Sequence, residues 1–243
     1  IHNICMFTIT QTYELMNVQI NVDYLLVENY LPYKPTIIED IYGNKINREI
    51  KTTDNIPNFG FSILDKLKNV CNQVGDISQY IYRSSELHHS YWKNGKIKTG
   101  EYPIIHLLKN SKKGNVIYYS NIKHKHQNTP KIIVNGLGVK YVLMDKEGIY
   151  GITDSPIAIL NTSELLVEFL NNKIFVYLIN TLGIIGNNIS REIFTYIPDL
   201  VTLCKKGETF DLYKKMGFTK QEINDIEKFN TNSIQNNKLK HRL

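Results

Sequence analysis

Between His88 and Lys131 the chain places nine lysines and five of its seven histidines against a single acid, Glu101. Tyr91, Trp92, Tyr102, Tyr118 and Tyr119 are threaded among them. Lysines neutralise phosphates and release counterions, and aromatic rings offer flat faces to bases. Counting Lys, Arg, Asp and Glu, the segment carries +8 while the whole chain carries +6, which leaves the remainder at −2. Charge concentrated in one stretch beside rings is the pattern of a polyanion-binding surface. Two blander sources compete with it: a solvated face that keeps the protein soluble, and the Ile, Asn, Lys and Tyr bias of an AT-rich coding sequence. The bias accounts for basicity but not for clustering.

The histidines invite a metal reading, because His124 and His126 on a strand would project to one face. No third ligand stands at a diagnostic spacing, and neighbouring lysines repel a cation. His89, Asn94 and His106 match a His-Asn-His nuclease only loosely. Pro198-Asp199 is not followed by the (D/E)xK that a PD-(D/E)xK nuclease requires. Asn135-Gly136-Leu137-Gly138 holds a GxG without the third glycine and following helix of a dinucleotide fingerprint, so it reads as a turn. No Walker loop, G-x-S-x-G or H-E-x-x-H occurs. The expectation is therefore no catalytic residue and no metal site.

A length of 243 residues suffices for one large or two modest domains, and 42% hydrophobic content describes a globular chain. Cys5, Cys71 and Cys204 are odd in number and far apart, as in a reducing, cytoplasmic setting. No apolar run approaches the roughly 18 residues of a membrane span. The chain opens on Ile1-His2-Asn3-Ile4 with neither Met nor a signal-peptide pattern. It is expected to be a fragment whose upstream part is missing.

Alternating apolar residues predict strands at Ile4–Thr10 and Ile20–Glu28, forming a β-hairpin at the edge of a sheet not otherwise present. A further strand is expected at Thr36–Tyr42. The loop Asp54–Asn58 is read as capping a helix over Phe61–Gln73 with Ile63, Leu64, Leu67 and Val70 as its apolar stripe. The basic segment is expected to contribute strands Tyr102–Leu108, Asn115–Tyr119 and Lys131–Asn135, followed by Lys140–Met144 and Gly148–Thr153. Ser163–Leu182 reads as one helix, and Asp211–Lys215 as a short one. Thr219–Lys228 is a third, with Thr219 and Glu222 as a capping box. Residues from Asn230 onward form a polar, basic tail.

Several of these stretches together resemble the specificity half of an adenine-specific DNA methyltransferase of restriction-modification systems. Val22-Asp23-Tyr24-Leu25-Leu26-Val27-Glu28 is similar to the last strand of that family's Rossmann-like sheet. Residues from Ile56-Pro57-Asn58 to Val70 resemble the opening of its target-recognition domain. Ser163–Leu178 is similar to a helix with a Leu-Leu-Asn-Ser-Lys pattern, with Leu170-Asn171-Asn172-Lys173 here and Asn172 where Ser is usual. Ile189–Glu192 and Ile197–Leu200 look like the closing strand and exit. Asp211-Leu212-Tyr213, Gly217-Phe218-Thr219 and Glu222-Ile223 resemble the short C-terminal helical motif. The family's Asn/Asp-Pro-Pro-Tyr/Phe motif is absent, since Asn29-Tyr30-Leu31-Pro32-Tyr33 lacks the Pro-Pro pair. The glycine-rich S-adenosylmethionine loop is absent too.

The resemblance implies an α+β (mixed α/β) chain in three parts. These are a remnant hairpin of the methyltransferase core over 1–42, a target-recognition domain over 43–200 and a helical tail over 201–243. It implies double-stranded DNA as partner, with no membrane. It also implies an upstream catalytic domain in the same chain, where S-adenosylmethionine would bind; no cofactor is expected in these residues. Methylation requires rotating adenine out of the duplex at a cost of a few kcal/mol, so another part must grip the backbone and read bases. The DNA-facing candidates are Lys93, Lys96, Lys98, Lys112, Lys113, Asn121, Lys123, His124, Lys125, Gln127, Asn128 and Lys131. Lys112, Lys113, Lys123, Lys125 and Lys131 are read as phosphate contacts. Asn121, Gln127 and Asn128 are read as bidentate adenine contacts in the major groove. Trp92 and Tyr119 suit either an unstacked base or a core. A non-catalytic specificity subunit and a basic interaction protein remain the competing readings.

Overall fold

The computed structural model describes residues 3–7, 22–26, 36–40, 45–49, 56–57, 59–84, 100–109, 114–136, 141–182, 184–185, 188–189, 191–204 and 211–229. The fold is mixed α+β, with several small sheets and a helical layer.

Strand β1 (Asn3–Phe7) pairs antiparallel with β2 (Val22–Leu26), as the alternation predicts. The pair does not end there. β1 also runs parallel to β3 (Thr36–Glu39), and β3 turns back antiparallel onto β4 (Lys45–Arg48). The expected division after residue 42 thus falls between two strands that pair as a hairpin. Ile38 is buried against Ile46, Ile56 and Phe61, so this four-stranded sheet docks on the start of the first helix. Arg48 adds an ion pair to Asp65 and lies over the Phe61 ring.

Helix α1 (Phe61–Val74) buries Ile63, Leu64, Leu67 and Cys71, positions at the i, i+3/i+4 spacing of one face. Its cap is not the expected polar loop but Gly60, at φ 69° and with no side-chain cap. A side chain there would meet the Tyr177 hydroxyl at 2.4 Å, so the residue needs both the left-handed backbone and the missing Cβ. A 3-10 turn (Ile77–Tyr80) leads into β5 (Ile81–Tyr82).

β6 (Tyr102–Leu107), β7 (Val116–Ser120), β8 (Lys131–Asn135), β9 (Val142–Asp145) and β10 (Gly151–Ile152) follow the sequence pattern. β11 (Pro156–Ile159) was not expected; Pro opens it, where a missing N–H is tolerated. One sheet has the order β10-β6-β7 and another β5-β11-β8-β9. β8 is buried on both faces. Ile132 and Val134, with Ile157 and Ile159 of β11, join the helical core, while Ile133 and Ala158 face Ile105 and Ile152 of the three-stranded sheet. The arrangement is three-layered: helices, four strands, three strands.

The expected single helix Ser163–Leu182 is two helices, α2 (Glu164–Asn171) and α3 (Lys173–Leu182), bent by 62°. Asn172 breaks it in an extended conformation (φ −80°, ψ 155°), and its Oδ1 accepts the Ile174 N–H at 3.0 Å, restarting the helix. Among the described residues no single helix is long and apolar enough to cross a membrane. A second 3-10 turn (Arg191–Tyr196) precedes α4 (Leu200–Leu203), capped by Asp199. The tail supplies α5 (Leu212–Lys215) and α6 (Lys220–Lys228), the latter with the predicted Thr219/Glu222 capping box. Both pack into the main core through Leu212, Met216, Phe218 and Ile226. Lys173 ties α3 to Glu227 at 2.8 Å. Residues 230–243 lie outside the described part.

Candidate nucleic-acid interface

The described part of the basic segment comes to a point in the ten-residue connection between β7 and β8, residues 121–130. Its first turn is set by Ser120, whose Oγ accepts the Ile122 N–H at 2.9 Å. Next, His124 O accepts the Gln127 N–H at 2.9 Å and His126 O accepts the Thr129 N–H at 3.2 Å. Asn128 adopts φ 70°, a left-handed conformation that Asn tolerates better than most residues, and its N–H reaches Gly148 O at 2.6 Å. Gly148 itself has φ +70° and lies so close that a Cβ would meet Thr129 N at 2.4 Å. The loop is clamped against the β9–β10 connection by backbone contacts that admit no side chain at Gly148.

Three of the sequence candidates are consumed inside this clamp. Lys131 is 0% exposed. Its ammonium donates to His126 O at 3.1 Å, Thr129 O at 3.0 Å and Asp145 Oδ2 at 2.9 Å, which uses all three of its protons. Asp145 also accepts the Ile149 and Tyr150 N–H groups. Burial pushes the Lys131 pKa down while Asp145 pushes it up. Gln127 accepts from the His124 N–H and donates to Ile149 O at 2.9 Å, so both ends of its amide are engaged. His124 is 2% exposed, and its Nδ1 accepts the His126 N–H at 3.1 Å. The neutral ring therefore carries its proton on Nε2, which is buried without a partner. Burial first, then the positive charges of His126, Lys131 and Lys125, lower the His124 pKa to about 4. These three residues shape the loop from within rather than present charge or amides to a ligand.

What faces outward is a different set. Asn121, Ile122, Lys123, Lys125 and Asn128 are exposed. The Lys125 ammonium sits 4.4 Å over the Tyr82 ring, and His126 packs edge-on to the same ring at 4.3 Å. Tyr82 lies outside the basic segment and sequence reading passed over it; nothing in its neighbourhood signals the contact. Tyr119 is 40% exposed, and Tyr118 is stacked on His106, whose Nδ1 lies 3.0 Å from Thr153 Oγ1. Lys93, Lys96, Lys98, Lys112, Lys113 and Trp92 lie outside the described residues.

Among the described residues no group of three His, Cys, Asp or Glu side chains is placed to hold a metal ion. The loop instead joins a neutral interior to a cationic, amide-bearing rim, which suits binding of an anion by shape and charge. No protein-family model, curated protein or solved structure matches the chain.

Proposed function

We propose that this chain recognises target sequences in double-stranded DNA as part of a site-specific S-adenosylmethionine-dependent adenine-N6 methyltransferase. The observation that supports this reading is loop 121–130. Lys131 and Gln127 are engaged inside the loop by the scaffold, while Lys123 and Lys125 are exposed for phosphates and Asn121 and Asn128 for base edges. Lysines on a held loop neutralise phosphates without a large ordering cost, and Asn pairs with adenine N6 and N7 in the major groove. Lys93, Lys96, Lys98, Lys112 and Lys113 would extend the same electrostatic footprint. The sequence contains neither the Pro-Pro motif nor the glycine-rich cofactor loop, so catalysis and S-adenosylmethionine are assigned to an upstream catalytic domain.

Equilibrium binding to random-sequence duplex DNA across roughly 50 to 200 mM salt tests this, since log K falls by about 0.9 per phosphate neutralised for each unit of log salt. A steep negative slope is expected. A flat slope, or no binding at the lowest salt, would reduce the basic segment to a solubilising surface.

A further inference from the structure

Ile122 is 71% exposed, the most exposed large apolar side chain among the described residues. Its backbone N–H is held by Ser120 Oγ, so its position is set while most of its side chain stands in water. In the chain it stands between Asn121 and Lys123, both exposed. A large aliphatic group in water gains free energy when another apolar surface covers it, and a pair of flanking polar groups selects what that surface belongs to. An A·T pair in the major groove offers an adenine edge for an amide and, on its thymine, a C5-methyl group. Phosphates lie along the rim of the same groove.

We infer that Ile122 is a specificity-determining residue that covers the C5-methyl group of a thymine in the bound site. Asn121 is the neighbouring amide and Lys123 the neighbouring phosphate contact. This rests on the DNA-recognition reading and adds to it the chemical group read at one position. Recognition at Ile122 is by apolar contact, so it depends on one methyl group and on no hydrogen bond.

The experiment selects the tightest-binding duplex from a randomised pool, then replaces each thymine in it singly by deoxyuridine, which differs only by that methyl. One replacement is expected to weaken binding by the wild-type chain about four-fold, the worth of one buried methyl. With Ile122→Ala the same replacement is expected to have no effect, and with Ile122→Val to retain most of it. If no thymine is sensitive, or if Ile122→Ala keeps the full thymine preference, the inference is overturned while steep salt dependence leaves DNA recognition standing. Failure of the pool to yield any bound duplex would instead remove both.

Discussion

The two faces of β8 are built on opposite terms. One face, Ile132 and Val134, belongs to the same apolar cluster as Phe169, Phe175, Leu178 and Phe194. The other face begins and ends in polar side chains: Lys131 under loop 121–130, and Asn135, which bonds both the N–H and the C=O of Leu108 at 2.8 and 2.9 Å. Apolar packing tolerates repacking at conserved volume, whereas buried polar groups must each meet a partner in one geometry. The helical face stabilises the fold. The polar face specifies where the loop stands, and hence where Lys123, Lys125 and Asn128 point.

The sharpest way to break this contrast is Lys131→Ala, which leaves the buried Asp145 carboxylate without its counter-charge and is expected to cost roughly 3–5 kcal/mol. Ile132→Val, one position along and equally buried, is expected to cost about 0.5–1.5 kcal/mol. Denaturant melts of the two variants decide it. Equal costs would mean that the polar face carries no special weight.

Acid should act on the polar face first. The His124 pKa in the folded chain is about 4 against 6.5 in the unfolded one, so the unfolded state binds the extra proton between these values. The contribution is fully present above pH 6.5 and is lost as pH falls toward 4, by a total on the order of 3 kcal/mol. Denaturant midpoints measured across that window should decline, and His124→Asn should flatten the decline. An unchanged slope in the variant would assign the acid sensitivity to other groups.

Changes on the loop's rim should leave stability within about 0.5 kcal/mol. Lys123→Ala with Lys125→Ala is expected to weaken binding to all duplexes alike and to reduce the salt slope by about 2. Asn128→Gly keeps the left-handed backbone while removing the amide, and is expected to relax preference at one base. A neutral lysine pair would mean that the rim does not face DNA.

Much of the fold was legible in the pattern of residues. The strands of the basic segment, the Phe61–Val74 helix and the Thr219 capping box follow from alternation, an apolar stripe and local capping chemistry. The break at Asn172 was not read, although Asn is a favoured helix-starting residue, because the apolar stripe continues across it. Residues 156–159 escaped because a fully apolar run of four has no period to distinguish it. The loop candidates were legible as a group but not one by one. Lys131 and Lys125 are the same residue type six positions apart, yet one is buried on Asp145 and the other is exposed over the Tyr82 ring.

By itself the sequence determined that positive charge and aromatic rings concentrate between His88 and Lys131, that the chain is mixed α+β, and where most local elements lie. These depend on residue type and near neighbours alone. Tertiary structure decided the rest. It brought Asp145 to Lys131 from 14 residues away, pressed the Gly148 backbone against Thr129, and turned His124 and Gln127 inward. Whether a lysine is a surface cation or a buried strut depends on which distant group shares its space, and no local pattern encodes that.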